Sequence, residues 1–195
     1  MVNNFPNLKR LAQINSYYCG PASLQMLLSL YGLQVDQQQI VDSLGINQKI
    51  FTKGITIQEM GQYLKQSFPQ LQFWYKFNSS ITEISQLVND FQLPVGVEWQ
   101  GIFDYPDEEI SEDEDDDPGH IAIITAINTQ ENYIYLADPD THYAGTDRKF
   151  SILQFERRWW DINEINHQEI DDYHGLFLIT PIDFALPASL QLLKP

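Results

Sequence analysis

Apolar residues recur with helical spacing through the first half of the chain. After Gly20 and Pro21, two adjacent helix faces are apolar, with Leu24, Leu27, Leu28 and Tyr31 on one and Ala22, Met26 and Leu30 on the other. Because little of such a helix can face water, the pattern predicts a buried helix. Proline suits the first helical position, and glycine is typical just after a helix end. We therefore place this helix from Pro21 to Gly32, with Cys19 just outside its first turn.

Three further helices are predicted from their start and stop signals. A Ser, Thr or Asp three residues before a Glu or Gln marks a helix N-terminus, because each side chain can bond the main-chain N–H of the other residue. The pairs that fit this pattern are Asp36 with Gln39, Thr56 with Glu59, and Ser80 with Glu83. Apolar residues follow each pair with helical spacing, and the first of these helices is expected to end near Gly45.

Runs rich in β-branched and aromatic residues predict strands, most of them in the second half. They cover residues 71–77, 94–99, 119–127, 133–137 and 175–180. A helix is expected to close at residues 155–160, and residues 181–195 are expected to form a terminal tail or a segment that packs around the domain. Helices followed by strands predict one α+β domain over residues 1–195, with a site in the cleft between its halves.

The single cysteine, Cys19, stands at the start of the first predicted helix. The thiolate is the reactive form of cysteine, and a helix N-terminus stabilises negative charge, so Cys19 is a candidate nucleophile. A nucleophilic cysteine also needs a histidine from elsewhere in the chain. The alternative is that Cys19 is a small buried hydrophobic residue, which is the commonest role of a free cysteine.

His120 opens one predicted strand, and a short polar segment joins that strand to the next. This spacing predicts an antiparallel hairpin. If Ile127 pairs with Tyr133, His120 and Asp138 lie on the same face as diagonal neighbours, about 7–8 Å apart at the backbone. A loop one residue shorter would place them on opposite faces. Asp140 has the same strand parity as Asp138, so the spacing leaves it as an alternative partner of His120.

Such residues could together cleave an amide bond. His120 would take the proton of Cys19 and later protonate the leaving group, while Asp138 would hold the imidazole in the productive tautomer. Gln13, six residues before the cysteine, could donate its side-chain amide to the oxyanion. Each residue also has a structural interpretation: a hydrogen-bonded histidine at a strand start, an aspartate in a turn before proline, and an exposed loop glutamine.

Together these residues resemble the C39 and C39-like cysteine peptidases. The resemblance spans about residues 8–180, and its specific residues are Gln13, the run Cys19-Gly20-Pro21-Ala22-Ser23-Leu24, His120 before an apolar strand, and Ala137-Asp138-Pro139. It implies a papain-like fold, in which a helix with the cysteine packs on an antiparallel sheet with the histidine and aspartate. It also implies Gln13 as oxyanion donor, Cys19 as nucleophile, His120 as general base and acid, and Asp138 as the residue that orients the histidine.

The resemblance does not fix the substrate. The best-known C39 peptidases are N-terminal domains of peptide exporters, and they cut leader peptides after a Gly-Gly pair. In this sequence no apolar run approaches the ~20 residues that span a bilayer, so cleavage after Gly-Gly is not expected. The resemblance implies a thiol-dependent peptide or amide hydrolase and leaves its substrate open.

The charge balance is strongly acidic, with 11 basic and 27 acidic residues and a net charge of −16. Such a surface repels phosphate groups, so neither nucleic acid nor a membrane is expected as a partner, and a peptide substrate, especially a basic one, is favoured. Much of the excess lies in the acidic loop 104–118, directly before His120. We interpret this loop as a solvated segment or, alternatively, as a guard of the cleft that attracts a basic substrate.

No cofactor or metal is expected, because one cysteine and four dispersed histidines, His120, His142, His167 and His174, do not match the usual metal-site patterns. The sequence begins without a hydrophobic signal core, which makes a cytoplasmic location the expectation. Three functions remain open: a cysteine peptidase or amidase that acts through an acyl-thioester, an acyltransferase that uses the same thioester, and an inactive module that binds a peptide in a papain-like cleft.

Overall fold

Helices occupy the first half of the chain and strands most of the second in the computed structural model, which describes residues 5–103, 119–165 and 168–195. The helices are α1 (Cys19–Ser29), α2 (Gln37–Leu44), α3 (Ile50–Lys53), α4 (Ile57–Ser67), α5 (Ile81–Ser85) and α6 (Ile152–Arg157). The strands are β1 (Leu71–Lys76), β2 (Val95–Gln100), β3 (Gly119–Asn128), β4 (Tyr133–Ala137), β5 (Asp147–Ser151), β6 (Trp160–Ile165), β7 (Gln168–Tyr173) and β8 (Leu176–Pro181). The predicted α+β class is confirmed.

Six of the described strands form one antiparallel sheet in the order β1-β8-β2-β3-β4-β5. The strands β6 and β7 form a separate antiparallel hairpin. Nearly every residue of β2, β3 and β8 is buried, as expected of strands in the middle of a sheet. The candidate site lies at one end of these central strands, where β3 begins.

The helix α1 begins at Cys19, two residues before the proline that was predicted to open it. The prediction was wrong because the first four N–H groups of a helix have no partner within it, so proline fits at the third position as well as at the first. The last helical residue is Ser29, and Gly32, with φ of +71°, closes the turn that follows. Cys19 is therefore the first residue of the helix.

Close packing against β3 fixes the position of α1. A Cβ atom on Gly20 would lie 2.2 Å from Ile55 and 3.1 Å from Ile121, so a larger residue would push the helix away. The buried hydroxyl of Ser23 donates to the Ile121 carbonyl at 3.1 Å, which satisfies both polar groups. These contacts hold the first turn of α1, and with it Cys19, beside the start of β3.

The other predicted helix starts are present. Thr56 and Ser80 each form a complete capping box with the glutamate three residues later. Asp36 caps α2 by accepting from the N–H of Gln38 at 2.8 Å, in place of the predicted pairing with Gln39. The helix after Ser80 passes from α5 directly into a π-helical turn.

Three strands, β5, β6 and β7, were not predicted. Their sequences are DRKFS, WDINEI and QEIDDY, in which charged residues hide the alternation that marks a strand. The helix predicted to close at residues 155–160 ends at Arg157, because Trp160 opens β6 and pairs with Tyr173 of β7. The missed hairpin is thus the reason for the wrong helix end.

Residues 181–195 pack around the domain, which was one of the two expectations for this segment. Leu193 exchanges two main-chain hydrogen bonds with Tyr75 of β1, at 3.0 and 2.8 Å. The Lys65 side chain donates to the Pro195 carbonyl at 2.9 Å. The C-terminal segment therefore covers the edge strand β1 on the side of the sheet away from β5.

The hairpin of β3 and β4 differs in register from the prediction at its loop. Ile127 pairs with Ile134, whereas the predicted pairing with Tyr133 was the one that placed His120 and Asp138 on the same face. A shift of one residue reverses the two faces of a strand, so this register alone would separate the two side chains.

A bulge at Thr125 restores the predicted pairing nearer the candidate site. The register of β3 against β4 changes by one residue there, so that Ile123 pairs with Ala137. The buried hydroxyl of Thr125 donates to Asp147 at 2.7 Å, and this bond holds the bulged residue in place. The extra residue in the bulge returns the histidine and the aspartate to one face of the sheet.

Candidate active site

Cys19 is partly exposed at the N-terminus of α1. The preceding residue, Tyr18, forms no side-chain cap on the helix. The free N–H groups of the first turn carry a partial positive charge, which favours a thiolate at this position. The cysteine is thus accessible at the first residue of a helix.

His120, the first buried residue of β3, binds Asp138. The His120 Nε2 and Asp138 Oδ1 atoms are 2.8 Å apart, and the two side chains are 6% and 0% exposed. Cys19 is close enough to the His120 side chain to help raise the pKa of the imidazole. Phe103 packs edge to face on the imidazole, with ring centres 5.1 Å apart. The structure therefore brings Cys19, His120 and Asp138 together, with the histidine in the middle.

The charges of this pair reinforce each other. Burial alone would lower the pKa of His120, but the charge and hydrogen bond of Asp138, together with Cys19, raise it from 6.5 to about 10. Burial would raise the pKa of Asp138, but the charge of His120 and hydrogen bonds from His120, Asp140 and Arg148 lower it to about 2. At neutral pH the pair is therefore an imidazolium and a carboxylate, with the positive charge beside the thiol.

Two further groups bind Asp138. The main-chain N–H of Asp140 donates to Oδ1 at 2.9 Å, and Arg148 Nη1 donates to Oδ2 at 2.6 Å. Asp140, the alternative partner left open by the strand spacing, turns its own carboxylate to His142, at 2.9 Å from the N–H and 3.1 Å from Nδ1. The structure thus sets Asp138 against His120. Arg148 was not identified from the sequence.

Gln13 is a buried residue in a largely exposed loop, and its main chain is tied to the residue after Asp138. Its main-chain N–H donates to the Pro139 carbonyl at 2.7 Å, and its side chain is only 5% exposed. Among the described residues, the Gln13 Oε1 atom has no hydrogen-bonding partner. The interpretation of Gln13 as an exposed loop residue is therefore wrong.

Gln37 holds this loop from both sides, and it was also missed. The Gln37 side chain donates through Nε2 to the Ala12 carbonyl at 2.9 Å and accepts through Oε1 from the Ile14 N–H at 3.0 Å. Both bonds are made to the main chain directly beside Gln13. These bonds fix the backbone of Gln13 and do not involve the Gln13 side-chain amide.

An acidic cluster, defined here as Glu98, Asp161 and Asp172, lies beside the cysteine and histidine. Glu98, on β2, is 2% exposed and accepts from Asn163 at 3.4 Å, and Asn163 also donates to Asp172 at 3.0 Å. A Cβ atom on Gly119 would lie 2.1 Å from Asp161 Oδ1, so only glycine before the histidine permits this carboxylate to approach.

The acidic cluster holds its protons more tightly than ordinary carboxyl groups. Burial, followed by the negative charges of Asp161 and Asp172, raises the pKa of Glu98 well above its usual value. Burial likewise raises the pKa of Asp161 to about 6. Folding therefore makes the ionisation of these carboxyl groups less favourable, which lowers stability as the pH rises.

Glu98→Gln is expected to raise the free energy of unfolding at pH 8. A carboxyl whose pKa is raised by folding stabilises the protein below its unfolded pKa, and this stability is lost as the pH rises through the folded pKa. Glu98 and Asp161 are both such groups, and glutamine removes one charge while still accepting from Asn163. Urea unfolding at pH 5 and pH 8 measures the effect, which should be smaller at pH 5.

Glu83→Gln is the matched control, with the opposite sign. Burial would raise the pKa of Glu83, but hydrogen bonds from Lys76 and Ser80 and the charge of Lys76 lower it overall, so its ionised form stabilises the fold above its usual pKa. We expect this variant to lose stability at pH 8. A loss of similar size in Glu98→Gln would contradict the unfavourable burial of its charge.

Within the described residues, no group of three or more His, Cys, Asp or Glu side chains is arranged to hold a metal ion. No helix in the same part of the chain has the length and apolar character needed to cross a bilayer. The acidic loop 104–118 and His167 lie outside the described residues, so the two interpretations of that loop stay predictions.

A cysteine at a helix start, packed against an antiparallel sheet that carries a paired histidine and aspartate, defines the chain as C39 peptidase-like in fold. The model of the Peptidase C39-like family matches residues 2–166, and the chain belongs to this family. A comparison with curated proteins gives no match.

Solved structures with the same fold are similar over most of their length. The peptidase domain of Streptococcus ComA, a bifunctional ABC transporter involved in a quorum sensing pathway, is 17% identical, with a TM-score of 0.60 over 88% of this chain and 96% of that one. A Bacillus anthracis protein described as a C39-like peptidase is 17% identical, with a TM-score of 0.58 over 91% and 96%. A double glycine motif protease from an AMS/PCAT transporter, in complex with the leader peptide, is 17% identical, with a TM-score of 0.54 over 88% and 89%.

Proposed function

We propose that this protein is a cysteine peptidase that cleaves peptide bonds through an acyl-thioester on Cys19. The observation that carries the proposal is the position of His120, which binds Asp138 through Nε2 and interacts with the Cys19 side chain. An imidazolium beside a thiol at a helix N-terminus supports a thiolate nucleophile. Membership in the Peptidase C39-like family supports the same class of reaction.

Each proposed role corresponds to one step of the reaction. The Cys19 thiolate bonds to the carbonyl carbon, and the carbonyl oxygen takes the negative charge, to which the Gln13 amide donates. His120 gives its proton to the leaving amine as the C–N bond breaks, which leaves the acyl-thioester. His120 then takes a proton from water, which attacks the thioester, and the C–S bond breaks to release the acid and restore the Cys19 thiolate beside the imidazolium. Asp138 keeps the imidazole oriented throughout.

The proposed substrate is a peptide, and charge favours a basic one. A structural neighbour was solved with a leader peptide bound, which supports a peptide-binding cleft in this fold. The net charge of −16 and the acidic cluster beside the cysteine would attract cationic side chains. Mass spectrometry of a peptide library after incubation with the protein identifies the bond that is cut. A second incubation with added amine separates hydrolysis from acyl transfer.

Iodoacetamide is expected to alkylate Cys19 at pH 6 about tenfold or more faster in the wild type than in His120→Ala. An ordinary thiol, with a pKa of about 8.5, is less than about 1% ionised at pH 6, whereas a thiolate paired with an imidazolium is largely formed. The chain has one cysteine, so the mass of the intact protein reports every alkylation event.

His142→Ala is the matched control for this experiment. His142 also binds an aspartate, through Nδ1 at 3.1 Å from Asp140, but its side chain is 60% exposed. We expect its removal to leave the alkylation rate unchanged. Equal rates in the wild type and His120→Ala would overturn the proposal and favour an inactive peptide-binding module.

A further inference from the structure

We propose that Arg148 is a positioning residue of the active site, which acts by holding the Asp138 carboxylate in the orientation that His120 requires. The inference rests on the proposed function, since it assigns a role within the same site. Arg148 lies on β5, and its Cα partner on β4 is Leu136, two residues before the aspartate. No part of the sequence pattern that resembles the C39 peptidases includes this arginine.

The hydrogen bonds divide the two oxygens of Asp138 between separate partners. Oδ1 binds His120 Nε2 at 2.8 Å and accepts from the Asp140 N–H at 2.9 Å, while Oδ2 accepts from Arg148 Nη1 at 2.6 Å. The carboxylate cannot rotate about its Cβ–Cγ bond without breaking the bond to the arginine. Since Asp138 is fully buried and Arg148 is 11% exposed, water does not readily replace either partner.

Arg148 is itself held on two sides. Its Nη2 atom donates to the carbonyl of Ile102, just beyond the end of β2. Its guanidinium lies over the Tyr143 ring, 3.6 Å from the ring centre, and 4.8 Å from the centre of Phe150. A planar guanidinium can donate in two directions and stack at the same time, which a lysine ammonium cannot do. The anchored arginine therefore transmits a fixed geometry from β2 and β5 to the aspartate.

The charge of Arg148 also matters for the ionisation of Asp138. The charged groups that face this carboxylate are His120 from β3 and Arg148 from β5, and the Asp140 main chain adds a hydrogen bond. Burial alone would raise the pKa of Asp138, and these groups together lower it to about 2. Removing the arginine leaves burial with less opposition, so the carboxylate takes up a proton at a higher pH than in the wild type.

Arg148→Met is expected to move the acid limb of the pH–rate profile for Cys19 alkylation upward by about one pH unit. Methionine keeps an apolar stem but removes the charge and both donors. Below the pH at which Asp138 is protonated, His120 loses its ionic partner and no longer holds the thiolate. The experiment uses the full chain, short pulses of iodoacetamide between pH 1.5 and pH 9, and the mass of the intact protein.

Lys76→Met is the matched structural control. The Lys76 ammonium binds the Glu83 carboxylate at 2.5 Å and the Leu190 carbonyl at 3.1 Å, so it also joins a carboxylate to a main-chain carbonyl, but on β1. We expect its removal to lower stability without moving the acid limb. Arg148→Lys keeps the charge but lacks the planar guanidinium. Its acid limb should therefore lie close to the wild-type pH, while its alkylation rate at pH 6 should stay below the wild-type rate.

An Arg148→Met profile that coincides with the wild type, or an equal shift in Lys76→Met, would overturn the positioning role. If Arg148→Met does not fold, Arg148→Lys decides, because wild-type rates at every pH in that variant would also overturn it. His120→Ala in the same series separates the two hypotheses. If His120→Ala is alkylated as fast as the wild type, the proposed peptidase function is contradicted. If His120→Ala is slower but the Arg148→Met profile matches the wild type, only the proposed role of the arginine is contradicted.

Discussion

Replacing Asp138 with asparagine is expected to lower kcat/KM for peptide cleavage about 1,000- to 10,000-fold, as loss of the orienting aspartate does in a Ser-His-Asp triad. The side chain of Asp138 accepts from three donors, on His120, Asp140 and Arg148. Asparagine has one oxygen and one NH₂ group, so in either orientation its NH₂ faces a donor. The substitution therefore removes the charge and also breaks the geometry that aligns the imidazole.

The measurement is steady-state cleavage of the fastest-cut library peptide by Asp138→Asn and by Asp140→Asn. Asp140 has the same strand parity, but its carboxylate binds His142, so the second variant should lose much less activity. Circular dichroism checks that both variants fold. Equal losses in the two variants, or a small loss in Asp138→Asn, would contradict the assignment of Asp138 as the residue that orients the histidine.

The local relation of His120 to Asp138 was predictable only in part from strand spacing. The predicted pairing of Ile127 with Tyr133 is absent, yet the faces of the two side chains agree with the prediction because the bulge at Thr125 shifts the register back. A bulge of this kind depends on a tertiary contact, here the bond from Thr125 to Asp147. The alternation of residues along a strand does not reveal such a contact. The prediction that His120 and Asp138 share one face was therefore correct, but it did not include the bulge on which that arrangement depends.

The helices were the most predictable elements because their signals are local. Thr56 and Ser80 start helices through bonds to residues only three positions away, and Gly45, with φ of +67°, ends α2 where glycine is favoured. The hairpin of β6 and β7 has no such signal. Its charged residues conceal the strand period, and its position beside Glu98 depends on a long-range contact, the bond from Asn163 to Glu98.

The supporting residues of the candidate site could not be found from the sequence, for the same reason. Arg148 reaches Ile102 across 46 positions, and Gln37 reaches Ala12 across 25. Neither residue lies in a catalytic motif. Both bond to main-chain carbonyl groups, and the fold alone determines which carbonyl groups lie within reach. Motifs identify side chains that are proposed to touch the substrate, whereas the groups that orient those side chains depend on tertiary contacts.

Gln13→Ala is expected to lower kcat/KM for peptide cleavage about 100- to 1,000-fold, the usual cost of losing one oxyanion donor. Negative charge builds on the carbonyl oxygen only when the thiolate adds to a carbonyl carbon. The Gln13 side chain is buried with an unpartnered oxygen among the described residues, and Gln37 fixes the main chain on both sides of it. The burial of the side chain and the fixed main chain support the proposed donor, because they limit how far the amide can move as the charge develops.

Alkylation by iodoacetamide separates this role from a loss of structure. The thiolate displaces iodide from a saturated carbon in that reaction and forms no oxyanion, so Gln13→Ala should keep the wild-type alkylation rate while losing peptide cleavage. Gln13→Met, which has a similar length without the amide donors and without a charge, should behave in the same way. His120→Ala should lose both reactions, because it removes the partner of the thiolate. Parallel losses of alkylation and cleavage in the two Gln13 variants would instead make the glutamine a residue that holds Cys19 and His120 in place through the Pro139 contact.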